Sequence, residues 1–207
     1  GVLHLSGHDE WVEVYRSNNV ELSSKALTIS FDVKPGKLCG TYEGAPYITK
    51  GNTQFGVVQK GADKLQFYLH SGVKHALTVD LPANWIGNWH HVTASWDSKE
   101  MKLYIDGQLK GTETIAQPEP NNNRRGNNGG GERGMLSNFP YPINIGRIAG
   151  NHAQDPQTTY TADAEMDNVA IYSQCLADGE GKAEDAVLYL TFDGRSEERR
   201  VGKECVT

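Results

Sequence analysis

The stretch Gly87–Gly111, GNWHHVTASWDSKEMKLYIDGQLKG, decides the fold. Val92, Ala94 and Trp96 alternate with His91, Thr93 and Ser95. A few residues on, Met101, Leu103 and Ile105 alternate with Lys102, Tyr104 and Asp106. Side chains point to opposite faces along a strand, so each run reads as a strand with one apolar and one polar face. Asp106-Gly107 follows the second run, and Asp-Gly between two strand-like runs is the strongest short hairpin signal. A return strand over Gln108–Ile115 is expected from it.

The same period continues outward. In LTISFDV, Leu27, Ile29, Phe31 and Val33 share a face, and Thr28, Ser30 and Asp32 take the other. In KLQFYLHSG, Leu65, Phe67 and Leu69 oppose Gln66, Tyr68 and His70. Further strands are expected at Gly1–Leu5, Glu10–Val14, Gln54–Gln59, His75–Asp80, Ile143–Ile145, Ala164–Tyr172 and Ala186–Phe192. Lys34-Pro35-Gly36, Lys60–Asp63 and His70–Gly72 supply turns, and only Leu176–Lys182 suggests a short helix or turn. Many short strands with regular turns predict an all-β chain, a two-sheet antiparallel jelly-roll sandwich with Ile29, Phe67, Val92, Leu103 and Ile171 in one core. Gln117–Pro142 breaks the pattern. Its Asn, Gly and Pro predict a long disordered loop, with a mobile flap beside a ligand site as the alternative.

The length of 207 residues fits one such domain. The net charge of -6 argues against nucleic acid and anionic membranes as partners. No apolar run approaches the length of a membrane span, so no membrane insertion is expected. Cys39, Cys175 and Cys205 form no C-x-x-C pair, leaving a Cys39–Cys175 disulfide or free thiols open. The tail RSEERRVGKEC, Arg195–Cys205, matches the translation of a common sequencing-library adapter, so residues 195–207 are read as a non-native tail and 1–194 as the domain. The chain opens at Gly1 without an initiator Met or signal peptide and is read as a fragment of a longer protein.

Gly87–Gly111, with INIGR at Ile143–Arg147, MDNVAIYSQCL at Met166–Leu176 and LTISFDVKP at Leu27–Pro35, resembles the laminin-G-like, concanavalin A-like lectin/glucanase jelly rolls. LSGHDEWVEVYR, GTYEGAPYITKGNTQFGVVQ and LPANWIGNWHHV look like the module embedded in bacterial family 2 glycoside hydrolases of the β-galactosidase kind. That resemblance implies a secreted, periplasmic or cell-surface location and a parent catalytic domain outside this chain. It also implies that Trp89 and one of His90 and His91 are structural.

Glu165 and Asp167 share a strand face, as the catalytic carboxylates of family 16 glycoside hydrolases do. Val169 and Ala170, however, stand where the last Glu of that motif belongs. The chain alone is therefore expected not to be an enzyme. Neither G-x-S-x-G nor a P-loop occurs. The family's frequent structural calcium would draw on Asp9, Asp167 and Asp193, because calcium takes hard oxygen ligands. Sugar binding needs an exposed ring against the C–H face of a pyranose and planar groups for its hydroxyls. Tyr68 and Tyr104 on predicted outward faces, with Gln66, His70 and Trp11, are the candidates. The expected partner is then a glycan or the parent catalytic domain. A structural insert that binds no sugar and a protein-adhesion domain are the competing readings.

Overall fold

The computed structural model describes residues 1–8, 10–15, 24–37, 44–116, 135–148, 160–176 and 181–193. Its strands are β1 (Leu3–Ser6), β2 (Val12–Val14), β3 (Leu27–Pro35), β4 (Gly44–Lys50), β5 (Phe55–Lys60), β6 (Lys64–Ser71), β7 (Val73–Asp80) and β8 (His90–Trp96). They continue with β9 (Glu100–Ile105), β10 (Gln108–Thr114), β11 (Ile143–Ile145), β12 (Arg147–Ile148), β13 (Tyr160–Thr161), β14 (Asp163–Tyr172) and β15 (Leu188–Leu190). The one helical turn among the described residues is 3-10, at Ala183–Asp185. Among the described residues no helix is long and apolar enough to cross a membrane.

Sheet I has seven strands in the order β1-β14-β3-β8-β9-β10, with β15 also pairing β14. Sheet II has six, in the order β2-β11-β4-β5-β6-β7, and β12 and β13 form a separate pair. All pairings are antiparallel. The two sheets stack as a jelly-roll sandwich around one core, and Ile29, Phe67, Val92, Leu103 and Ile171 all lie within it. Alternation explains why: a half-buried strand places every second side chain inside, and a one-residue slip would expose the whole set. Asp106 and Gly107 take φ of 52° and 74°, the left-handed pair that a tight hairpin turn demands.

Two expectations need correction. β4 was not visible as a strand, since GAPYITK does not alternate. Every one of its residues is buried, because the core covers one face and the β12 segment the other, where Thr49 Oγ1 donates to the Arg147 carbonyl at 2.6 Å. A strand buried on both faces loses the period-two signal. The loop expected to be disordered to Pro142 is ordered from Met135. Leu136 joins the core at 2 % exposure. Lys50 Nζ donates to the Phe139 carbonyl at 2.7 Å, and the Phe139 N–H donates to Gln54 Oε1 at 2.8 Å. Residues 117–134 of that loop, and the tail from 194 on, lie outside the described residues.

Candidate functional site

The register of sheet I assembles a site that spacing along the chain does not reveal. On its outer face Asp167 of β14 stands opposite Asp32 of β3, and Asp32 stands opposite His91 of β8. Residues from three strands therefore meet in one row. The β14 ladder is interrupted between Asp167 and Ala170, where Asn168 takes a left-handed φ of 48°. Such bulges re-aim side chains. Here Asn168 Nδ2 turns toward β3 and donates to Asp32 Oδ2 at 2.7 Å. His91 Nδ1 donates to Asp32 Oδ1 at 2.6 Å, and Ser30 Oγ lies 3.2 Å from His91 Nε2. Burial alone would raise the Asp32 carboxyl. The hydrogen bonds from His91 and Asn168 and the nearby imidazole outweigh it, and hold the group below the usual carboxylate range.

Just before β8, Trp89 is 45 % exposed. Its indole borders a cleft of about 520 Å³ lined by Val2, Asp32, Trp89, His90, His91 and Asp167. That volume falls within the range of small-molecule sites. Behind the cleft, His90 is buried, stacks on Trp85 with ring centroids 4.8 Å apart, and donates from Nδ1 to Asp106 Oδ2 at 2.7 Å. Trp85 Nε1 and Tyr47 Oη both donate to Gln59 Oε1, at 3.0 and 2.8 Å. The back wall is thus fixed by buried hydrogen bonds, while the front offers a ring and fixed polar groups. As expected, adjacent histidines split between two environments: His90 is structural and His91 faces the cleft. Trp89 departs from the structural role its family resemblance implies, because its ring is at the surface.

The other expected site residues are scattered. Tyr104 is half-buried on the outer face of sheet I, one same-face step from the Asp32–His91 row, opposite Thr93. Gln66, Tyr68 and His70 lie on the outer face of sheet II, across the sandwich, so the structure does not bring them to Tyr104. Tyr68 is only 2 % exposed, packs with Val58 and Ile148, and donates its hydroxyl to the Gly51 carbonyl at 2.7 Å. Its expected role as an exposed platform is corrected: the ring is covered. Gln66 Nε2 donates to Thr78 Oγ1 at 3.1 Å, and His70 Nδ1 bonds Ser137 Oγ at 2.7 Å, pinning the returning loop. Trp11, at the β2 edge, lies under the Arg147 guanidinium at 4.3 Å.

The calcium expectation gains no geometry. Asp9 lies outside the described residues, Asp193 accepts from the Gly1 amino group at 2.7 Å, and Asp167 faces Asp32. Among the described residues no three His, Cys, Asp or Glu groups converge on one ion. Cys175 is an exposed free thiol, and Cys39, its candidate disulfide partner, lies outside the described residues.

The sequence profile of the Laminin_G_3 family, described as the concanavalin A-like lectin/glucanases superfamily, matches residues 6–144. The chain belongs to this superfamily. Among solved structures, the domain is similar to a candidate carbohydrate-binding protein from Bacteroides ovatus, with a TM-score of 0.64 and 13 % identity over 93 % of this chain and 53 % of that one. It is also similar to the heptameric SAP-like pentraxin of Limulus polyphemus, with a TM-score of 0.55 and 16 % identity over 84 % of this chain and 76 % of that one. Domains LG4-5 of the mouse laminin α1 chain match with a TM-score of 0.51 and 17 % identity over 86 % of this chain and 43 % of that one. These identities establish the fold that a laminin-G-like domain shares with them. The chain spans about half the length of the Bacteroides protein. Comparison with curated proteins finds no match.

The site has a measurable stability signature. Asp32 has a depressed carboxyl, so its contribution is complete above the unfolded carboxylate pKa of about 3.9 and is lost as pH falls through the folded value. Asp106, held by His90 and the His91 N–H against the opposing effect of burial, behaves alike. Urea titrations of the wild type and of Asp32→Ala at pH 7 and pH 3 are expected to show a gap of about 1–3 kcal/mol at pH 7 that shrinks at pH 3. An equal gap at both values would remove the ionised Asp32 from the account.

Proposed function

We propose that this domain is a non-catalytic carbohydrate-recognition module that binds neutral glycan rings in the Trp89 cleft and serves a larger secreted, periplasmic or cell-surface glycoside hydrolase of the β-galactosidase kind. The single observation that carries the reading is the half-exposed Trp89 ring beside carboxylate and imidazole groups held in place by the sheet. An aromatic face takes the C–H face of a pyranose, and Asp32, Asp167 and His91 are placed to meet hydroxyls. Two carboxylates in the cleft disfavour uronic or sulfated sugars, which would bring like charge into a partly desolvated site. The similarity to a candidate carbohydrate-binding protein agrees with the reading.

The same geometry disfavours glycosidase chemistry. Hydrolysis needs one carboxylic acid kept protonated by a raised pKa, whereas Asp32 is held ionised. Val169 sits in the core and Ala170 packs with Tyr172, so no carboxylate completes a motif with Glu165 and Asp167 on β14. Tethered to a hydrolase, such a module would raise the local concentration of the enzyme on its substrate.

Affinity electrophoresis of the chain through gels containing galactan, xylan, mucin or polygalacturonate tests the proposal. Retardation by at least one neutral glycan and not by polygalacturonate is expected. Free migration in all four would favour a structural insert, and turnover of any of them by the purified chain would overturn the non-catalytic reading.

A further inference from the structure

Next to the Trp89 cleft is a second cleft, of about 420 Å³, with His4, Glu10, Lys34, Asp163 and Glu165 in its walls. The register shows how the two relate. Glu165 stands opposite both His4 of β1 and Lys34 of β3. Lys34 is two residues beyond Asp32 on β3, and Glu165 is two residues before Asp167 on antiparallel β14. Both therefore share the outer face with the first row, displaced by the same step, about 6.8 Å along the strands. Trp89 directly precedes His90, which pairs with Val33, so it stands level with this second row. Trp89 lines the first cleft, and Gly87 of the same loop lines the second.

The second cleft carries a pre-set cluster of polar groups beside an apolar wall that includes Leu5, Pro35 and Ala164. Glu165 accepts from Lys34 Nζ at 3.0 Å and lies 3.2 Å from His4 Nδ1. Glu10 is fixed by the hydroxyl of Ser6 and by the Ser6 N–H at 2.9 Å. The Gly87 N–H donates to the Pro35 carbonyl at 2.7 Å and closes the end of the cleft beneath the Trp89 loop. Donors and acceptors of both kinds lie within one cavity, and among the described residues no Phe, Tyr or Trp lines it. The polar cluster suits the hydroxyl edge of a sugar ring, and the apolar wall suits its C–H groups.

Resting on the recognition role proposed above, we infer that the second cleft is a further subsite, so that the ligand is an oligosaccharide of at least two rings that spans both clefts, with Trp89 under one ring and the Lys34–Glu165–His4 cluster meeting the hydroxyls of the next. The Asp32 and Lys34 rows stand one two-residue step apart on the same face, so groups from both can meet one extended ligand. A domain built for a single terminal sugar would have no use for this second aligned cavity.

The test is an NMR and calorimetric titration of the 207-residue chain with galactose through galactotetraose and with xylose through xylotetraose. The expected result is affinity at least about tenfold higher for the trisaccharide than for the monosaccharide in one series, or about 1.4 kcal/mol. The His4 and Lys34 amide shifts should move only with the longer ligands. Lys34→Ala and, separately, Glu165→Gln should erase most of that gain. Equal affinity along every series that binds, with shifts confined to the Trp89 cleft, overturns the second subsite and leaves the recognition role standing. Binding to neither series overturns both. Shift mapping on the wild type decides the matter even where a variant folds poorly.

Discussion

Trp89→Ala is expected to abolish glycan retention in affinity gels while leaving the unfolding transition where it was. The two halves of that result come from the same observation. The ring is 45 % exposed and belongs to neither the aromatic stack nor the buried hydrogen bonds behind it, so its loss opens no core cavity. Exposed substitutions of this kind stay within about ±0.5 kcal/mol in stability. In binding, a tryptophan at the centre of a contact is the residue type most often found to dominate, at about 2 kcal/mol or more, which is roughly a 30-fold loss of affinity. Trp89→Phe, which keeps a flat apolar face, should recover part of it. Wild-type retention by the alanine variant would move the binding surface elsewhere. A large drop in urea midpoint would return Trp89 to the structural role that family resemblance suggests.

That ambiguity shows what the sequence could and could not disclose. Strands with one wet face announce themselves by alternation, so β3, β6, β8 and β9 and their core residues were legible directly. β4 was not, because burial on both faces erases the period. The outward position of Tyr68 was legible, but its covering was not: the neighbour that closes over it, Ile148, is 80 residues away in the chain, in β12 of the separate β12–β13 pair. The site itself depends on three strands in register and on one bulge. Asp32, His91 and Asp167 are scattered along the chain, and their meeting follows from strand order β14-β3-β8, which no local pattern encodes. Along the chain, Asp167 shows only as a carboxylate sharing a strand face with Glu165, and Asp32 only as the polar side of a strand. A signal was available in Asp167-Asn168, since Asn is one of the few residues at ease with positive φ and can mark a bulge. In the loop Pro82–Trp89 the buried ring is Trp85, which donates to the Gln59 acceptor of β5, whereas Trp89 lies at the surface.

Trp85→Ala should produce the opposite phenotype from Trp89→Ala, four residues away. Trp85 is 2 % exposed, packs edge-on to Tyr47 at 6.2 Å and stacks on His90 at 4.8 Å. Large-to-small changes at such aromatic positions cost about 3–5 kcal/mol, from lost transfer energy and the cavity left behind. The indole N–H adds a second term. Gln59 Oε1 accepts from both Trp85 and Tyr47, and Gln59 Nε2 donates to the Gly61 carbonyl at 3.0 Å, so removing one donor leaves a buried acceptor half-satisfied. Trp85→Phe separates the terms: it keeps most of the ring, loses the N–H, and should cost about 1–2 kcal/mol. With a urea m-value of about 2 kcal/mol/M, the alanine variant should unfold at a midpoint about 2 M lower and the phenylalanine variant less than 1 M lower. The cleft inherits the damage, because His90 loses its stacking partner while still bonded to Asp106, the residue that begins the β9–β10 turn. Folded Trp85→Phe should therefore still bind glycan, with the back wall of the cleft intact. If Trp85→Ala unfolds at the wild-type urea concentration, the aromatic and hydrogen-bonded wall is not what positions the site, and the rigidity assigned to the cleft has no physical source.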